Sequence, residues 1–251
     1  MFRKIKKALP AIVSAVLCVA MALGITASAA SEWSDTKALT SAKYNSNYIK
    51  WVEKYSAKDT KNTVTFGKSR LKKFYEKQLT AMDAENPQFA MNVITKDEIV
   101  SVAYKSRKMK IVVYVEGEGM AIYTTPKEMT ILSVADKQKI TTPITDDIGY
   151  DDLVDEMLES YANFDNDSYF AEDLGISENA KGKIFKFKSG ENTYYYEEFS
   201  TDNYSKIGFL FDSKGNPLAM TDGDVTACFQ IKYTVKDSEF TVPGGYKAVK
   251  Y

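Results

Sequence analysis

The 251-residue chain contains no histidine. That absence excludes Ser-His-Asp and Cys-His catalysis, imidazole general bases and His-ligated zinc together. Carboxylate-only chemistry and Ser-Lys arrangements survive it. Cysteine is nearly as scarce, with only Cys18 and Cys228, and Cys18 lies in a removable leader. One remaining thiol forms no intrachain disulfide, so an exported domain of this size depends on its core. Cys228 reads as a half-buried strand residue rather than a nucleophile. Arginine is limited to Arg3, Arg70 and Arg107, and no basic stripe of the kind that phosphate backbones require is present, so a nucleic-acid partner is not expected.

The first thirty residues supply an address. Arg3, Lys4, Lys6 and Lys7 form a basic n-region, Ala11 to Ile25 an apolar h-region, and Ala27-Ser28-Ala29 an A-x-A cleavage site. Cys18 follows Ala15-Val16-Leu17, whereas a lipobox places a small residue immediately before its cysteine, so acylation is not expected. Cleavage after Ala29 removes four of the 33 cations and no acid, leaving 29 Lys+Arg against 34 Asp+Glu, a formal charge of −5. The expected product is secreted or extracytoplasmic and not lipid-anchored.

Residues 30–45 have no clear period and read as a flexible lead-in; a single domain is expected over 46–251. Tyr48, Trp51, Val52 and Tyr55 fall on one face of a short helix. A second helix is expected from Ser69 to about Ala84, with Leu71, Phe74, Tyr75 and Met82 on one side, lysines on the other, and Asn86-Pro87 ending it. Period-two segments follow at Phe89 to Ile94, Ile99 to Lys105, Met109 to Val115, Met120 to Thr124 and Met129 to Val134. Turns at Lys96-Asp97, Ser106-Arg107 and Glu116-Gly117-Glu118-Gly119 are hairpin-length, which predicts an antiparallel meander. Tyr150 to Asn163 has helical spacing, opening a helical insertion at about 150–180. Strands resume at Lys183 to Lys188, Asn192 to Phe199, Lys206 to Asp212, Pro217 to Thr221 and Asp224 to Val235; with Thr63 to Phe66 they make about eleven. The predicted class is α+β and mostly antiparallel β: one curved sheet, a half-barrel, with short helices covering its concave face. No repeat and no low-complexity segment interrupts it.

The two sides of these strands differ. In the last long strand Val225, Ala227, Phe229, Ile231, Tyr233 and Val235 alternate with Thr226, Cys228, Gln230, Lys232 and Thr234, the pattern of one dry and one wet side. Matching registers put Met91, Met109, Ile111, Val113, Met120, Ile122, Met129 and Ile131 on the dry side with Phe229 and Ile231, and Met220 offers a fifth methionine. Methionine is flexible and polarizable and recurs at promiscuous binding surfaces. The same residues serve equally as ordinary core beneath helices, so pocket and core both stay open here.

Other chemistry is weaker. Tyr194-Tyr195-Tyr196 with Tyr204, Trp51 and Trp33 invites sugar stacking, but successive strand residues face opposite ways, and no flat platform follows. Asn163-Phe164-Asp165-Asn166-Asp167-Ser168 has the D-x-D spacing of a calcium loop without the glycine and glutamate of an EF-hand, and Asp146/Asp147 and Asp222/Asp224 are no better. No metal, cofactor or catalytic residue is assigned, and no carboxylate pair for glycoside hydrolysis is identified.

The layout resembles the half-barrel fold of the LolA/LolB lipoprotein carriers and the mycobacterial LppX/LprG lipid-binding proteins. The resemblance lies in an exported chain with an N-terminal helix, about eleven antiparallel strands and a midway helical insertion. Phe240-Thr241-Val242-Pro243-Gly244-Gly245-Tyr246 is similar to their F-x-x-P-x-G-Y-type closing segment, and Phe209-Leu210-Phe211-Asp212-Ser213-Lys214-Gly215-Asn216-Pro217 to their late hairpin. It implies a non-enzymatic protein whose concave face binds acyl chains beneath a helical lid, with Trp51 and Tyr55, or Leu153 and Met157, as lid residues. The implied partner is a lipid or other hydrophobic small molecule. The rival class is an envelope interaction or sensor module, its sheet filled by its own helices, that binds a partner protein or wall polymer.

Mass spectrometry of the protein recovered from an expressing bacterium is expected to find an unacylated chain beginning at Ala30. An acylated N-terminus at Cys18 would overturn this address.

Overall fold

The computed structural model describes residues 32–82, 84–115, 117–144, 176–201 and 206–249. Among these residues three helices, α1 (Glu32–Ala38), α2 (Ser46–Ser56) and α3 (Arg70–Met82), accompany one open sheet of thirteen strands. The strands are β1 (Thr63–Thr65), β2 (Gln88–Ile94), β3 (Ile99–Lys105), β4 (Lys108–Val115), β5 (Glu118–Thr124), β6 (Glu128–Ser133) and β7 (Gln138–Pro143), followed by β8 (Lys181–Ser189), β9 (Asn192–Phe199), β10 (Ile207–Phe211), β11 (Pro217–Thr221), β12 (Thr226–Lys232) and β13 (Lys247–Ala248). The expected α+β class and the antiparallel sheet hold. Two strands beyond the expected eleven complete it, β7 and β13. β7 buries only Ile140, and β13 is a two-residue edge pairing parallel to β7, so neither has an alternating apolar run.

Strand order is β1-β8-β9-β10-β11-β12-β2-β3-β4-β5-β6-β7-β13. Two meanders of consecutive hairpins, β2 to β7 and β8 to β12, are therefore fused by the antiparallel β12–β2 ladder, which sets Phe229 opposite Val93 and Ile231 opposite Met91. The turns obey the sequence: Ser106 and Arg107 both take positive φ, 50° and 61°, as a two-residue hairpin of the primed kind requires. Short strands at both edges limit the unpaired backbone.

Both faces of the sheet are dry near its centre, which corrects the expectation of one wet side. All of β10, and β2 from Phe89 to Ile94, is buried on alternating sides. Elements that the periodicity left free cover the second face. On that face α2 packs Val52, Trp51 and Tyr55 against Tyr196, Leu210 and Ala219, while Val242 and Tyr246 of the C-terminal tail lie on Val112, Ala121, Tyr123 and Leu132. Lys105 and Lys110 hold the 3-10 turn Asp237–Phe240 there through Asp237 and Glu239.

Within the expected lead-in, α1 occupies Glu32–Ala38. Two helical turns are too short to display a period, and α1 is placed by tertiary contacts instead. Trp33 meets Tyr114 edge-on at 5.2 Å, and Thr36 sits where a Cβ on Gly119 would overlap it. Glu32, 1% exposed, accepts the Gly119 N–H at 3.2 Å through Oε2, while its Oε1 has no partner among the described residues. The expected helix at Tyr150 to Asn163, with Leu153 and Met157, lies outside the described residues.

Burial pushes the Glu32 carboxyl above its ordinary 4.5; the Gly119 N–H pulls the other way, and Glu118 and Asp136 add like charge. The folded protein then holds this proton more tightly than the unfolded chain. Stability from this group is complete below about pH 4.5 and falls as pH rises through the raised pKa. Glu32→Gln is expected to remove that fall, which urea midpoints at pH 4.5 and 7.5 would measure. Identical pH dependence in variant and parent would refute it.

Candidate ligand-binding face and its marginal cleft

The register brings the predicted apolar residues together in rows. Met91, Val102, Ile111, Ile122 and Ile131 stand opposite one another across β2 to β6, and Phe229, Val93, Val100, Val113 and Met120 form the adjacent row. Met109 and Met129 flank Thr124 in a third. Met220 joins through Phe209 and Ala227. All ten predicted residues belong to, or pack against, one cluster contributed by nine of the thirteen strands.

That face is covered rather than open. Met91 is 2% exposed, Met109 4%, Ile111 5%, Ile122 6%, Ile131 4% and Phe229 0%; Val113, Met120, Met129 and Ile231 are partly buried. α3 lies on part of it, with Phe74 edge-on to Phe229 at 5.8 Å and tilted on Phe209 at 6.0 Å. Ile144 and Ile176 also pack into the cluster.

The lid assignment of Trp51 and Tyr55 is corrected. Both residues lie on the opposite face, where Trp51 stands 4.8 Å from the ring of Tyr194, and Tyr55 4.5 Å from that of Phe187. The reason is alternation along β9: Tyr194 and Tyr196 project toward α2, so the apolar stripe of α2 is used there. Tyr195 projects the other way, beneath the Arg70 guanidinium at 3.4 Å. The triplet therefore forms no platform.

α3 is fixed to the methionine face by a buried carboxylate. Ser69 caps the helix by accepting the Lys72 N–H at 2.9 Å. Glu197, fully buried, accepts the Arg70 and Leu71 N–H groups at 2.8 and 3.3 Å and the Arg70 guanidinium at 3.0 Å. The carboxylate satisfies donors that a helix start leaves unpaired and sits at its positive end.

Where α3 meets the β10–β11 hairpin and β12, a cleft of about 140 Å³ opens. Phe74, Pro217, Ile231 and Tyr233 supply its apolar walls, and Arg70, Lys73, Lys77 and Lys214 its cations. Ile231 is the one predicted face residue among its walls. Sequence reasoning missed the cations because lysines opposite the apolar stripe of a helix read as a solvated face. Lys77 lies 4.9 Å over the Tyr233 ring. Burial pushes the Tyr233 hydroxyl up to about 12, and it has no hydrogen-bond partner among the described residues.

Two chemistries left open by the absence of histidine meet direct geometry. Ser56 and Lys206 approach to 2.7 Å, but Lys206 donates to Ser56 Oγ, and Ser56 donates to Glu198 at 2.8 Å. A Ser-Lys nucleophile needs the opposite proton direction, serine to amine. Glu198 also accepts from Tyr196 and pairs with Lys183 at 2.9 Å, while Lys183 donates to the Ser56 carbonyl at 2.7 Å; together they lock the end of α2. Cys228 is buried, its thiol pushed up by burial and bonded to Asn45, which suits a structural residue. Asp222 holds its own turn through Asp224 and Val225 N–H groups. Among the described residues no group of three or more acidic, cysteine or histidine side chains is placed to hold a metal.

No protein-family model and no curated protein sequence matches the chain. Among solved structures it is similar to an uncharacterized conserved protein from Thermus thermophilus, at 11% identity and a TM-score of 0.31, with 70% of this chain and 97% of that one covered. A likeness of that size carries no argument about function.

Glu197→Ala is expected to lower the unfolding free energy by roughly 2–3 kcal/mol, because Arg70 and two helix N–H groups lose their acceptor and Arg70 is only partly hydrated. Glu197→Gln, which keeps an acceptor oxygen, should lose less. Urea denaturation of both variants measures this, and a loss below the scatter of the midpoints would remove Glu197 from that role.

Proposed function

We propose that the chain is an exported, non-enzymatic binding protein that holds a hydrophobic ligand, a lipid or lipoprotein acyl chain, on the apolar face of its sheet. The supporting observation is the breadth of that face. Nine strands at about 4.8 Å spacing extend for roughly 38 Å, whereas the 13 residues of α3 make a cylinder about 20 Å long. The apolar surface thus exceeds what α3 alone occupies, and its methionines can adapt to chains of varied shape. Each methylene buried there contributes about 0.8 kcal/mol before ordering costs. Such binding needs no titrating side chain, which suits a protein without histidine. The likeness in layout to the LolA/LolB and LppX/LprG carriers points the same way.

A second reading is favoured by the burial of Met91, Met109, Ile122 and Ile131. A face filled by its own chain belongs to an envelope interaction or sensor module that works through its outer surface.

Native mass spectrometry and solvent extraction of the purified protein are expected to recover a bound lipid, and a fluorescent fatty acid should bind saturably. A ligand-free protein that ignores the probe would reject the lipid reading in favour of the second.

A further inference from the structure

The cleft between α3 and the β10–β11 hairpin gathers positive charge. Arg70, Lys73, Lys77 and Lys214 converge on it, and among the described residues no acidic side chain lines it. Arg70 is neutralised by Glu197 at 3.0 Å. The nearest carboxylate on the hairpin is Asp212, whose oxygens accept from the Lys214 and Asn216 N–H groups and the Asn216 amide, all at 2.8 Å. It is thereby committed to the turn. Among the described residues Lys73, Lys77 and Lys214 have no acidic partner within ion-pair distance, although Lys72 beside them pairs with Glu76 and Glu178. Unpaired cations around a concavity raise the local concentration of anions.

The floor beneath them is apolar and continuous with the methionine face. Phe74 and Ile231 belong to the cleft and to the large cluster alike. A ligand bound here would meet charge at one end and hydrocarbon at the other. At about 140 Å³ the cleft is smaller than a drug-sized pocket and matches a head group rather than a whole lipid. Tyr233, whose buried hydroxyl lacks a partner, stands in its wall.

We propose that this cleft binds an oxyanion, a phosphate or carboxylate group, carried by the hydrophobic ligand; it rests on the lipid reading above for the ligand's apolar part. The test is calorimetric titration of the purified protein with dodecyl phosphate, dodecanol and inorganic phosphate, each at low and high salt. The same titrations use the variant Lys73→Gln/Lys77→Gln/Lys214→Gln and a control that removes equal charge elsewhere, Lys50→Gln/Lys61→Gln/Lys96→Gln. All six lysines are exposed, and thermal melts check that both variants fold.

Dodecyl phosphate is expected to bind at least tenfold more tightly than dodecanol, with an advantage that salt weakens, the cleft variant abolishes and the control keeps. Inorganic phosphate binding as tightly as dodecyl phosphate, and lost in the cleft variant, would uphold the oxyanion site with a free anion as its source and count against the lipid reading. Equal binding of dodecanol and dodecyl phosphate, unchanged in the cleft variant, would overturn the oxyanion site and leave the lipid reading standing. No binding of any probe would overturn both.

Discussion

The ladder between β12 and β2 is the constraint on which the remaining architecture depends. Each meander assembles from hairpins between neighbours in the chain, but Cys228 must find Ile94, and Lys232 must find Ala90, across more than half of the domain. In that register Phe229 and Ile231 extend the rows begun by Val93 and Met91. Strand side chains alternate with period two, so a slip of one residue would set Cys228, Gln230 and Lys232 into the apolar rows instead. One pairing therefore decides whether two half-sheets make one broad face. Such a non-local contact repays its loop-closure entropy only late, which predisposes the fold to slow formation.

Apolar faces attract helices without fixing them, because hydrophobic burial has no direction. Position comes from buried polar groups, and β9 supplies two in succession. Glu197 points to one face and grips the start of α3, while Glu198 points to the other and ties the end of α2 through Ser56 and Lys183. Tyr195 and Tyr196 divide in the same way, one under Arg70 and one bonded to Glu198. A single strand thus registers helices on both sides of the sheet. Leaving either carboxylate buried without these donors would be costly, so the helix positions are specified as well as allowed.

Most of the strand plan was legible because it is local. The strands Ile99–Lys105, Asn192–Phe199 and Pro217–Thr221 match their periodic runs residue for residue, and the turns carry their own chemistry at Ser106, Arg107 and Gly190. α2 and α3 were visible in their stripes. What the sequence concealed was tertiary. α1 is too short for a period, and Cys228 and Gln230 look wet until Asn45 and Lys43 pack over them. α2 shows an apolar stripe, but nothing in its spacing says which face of the sheet will receive it, so Trp51 and Tyr55 could be placed as a lid on the wrong side. The cleft was hidden for a related reason: Lys73 and Lys77 come from α3, Lys214 from a hairpin more than 130 residues later, and Tyr233 from just beyond the end of β12.

These placements bear on where a ligand would gain contact with the protein. Both faces carry helices, and among the described residues Val249 is the only exposed large apolar side chain, so these residues present no exposed apolar patch of the size that marks a docking site. The apolar interior approaches water at the margin of α3, through Phe74 and Ile231. At that margin Arg70, Lys73, Lys77 and Lys214 gather. Among the described residues, entry of a neutral chain elsewhere would require separating packed side chains, whereas an amphiphile with an anionic head meets cations beside the apolar walls of the cleft. Glu197 matters to this geometry as well as to stability, because it holds the start of the helix that presents Arg70, Lys73, Phe74 and Lys77. The alternation of β9 that anchors the fold is therefore also what brings the cleft and the methionine face together.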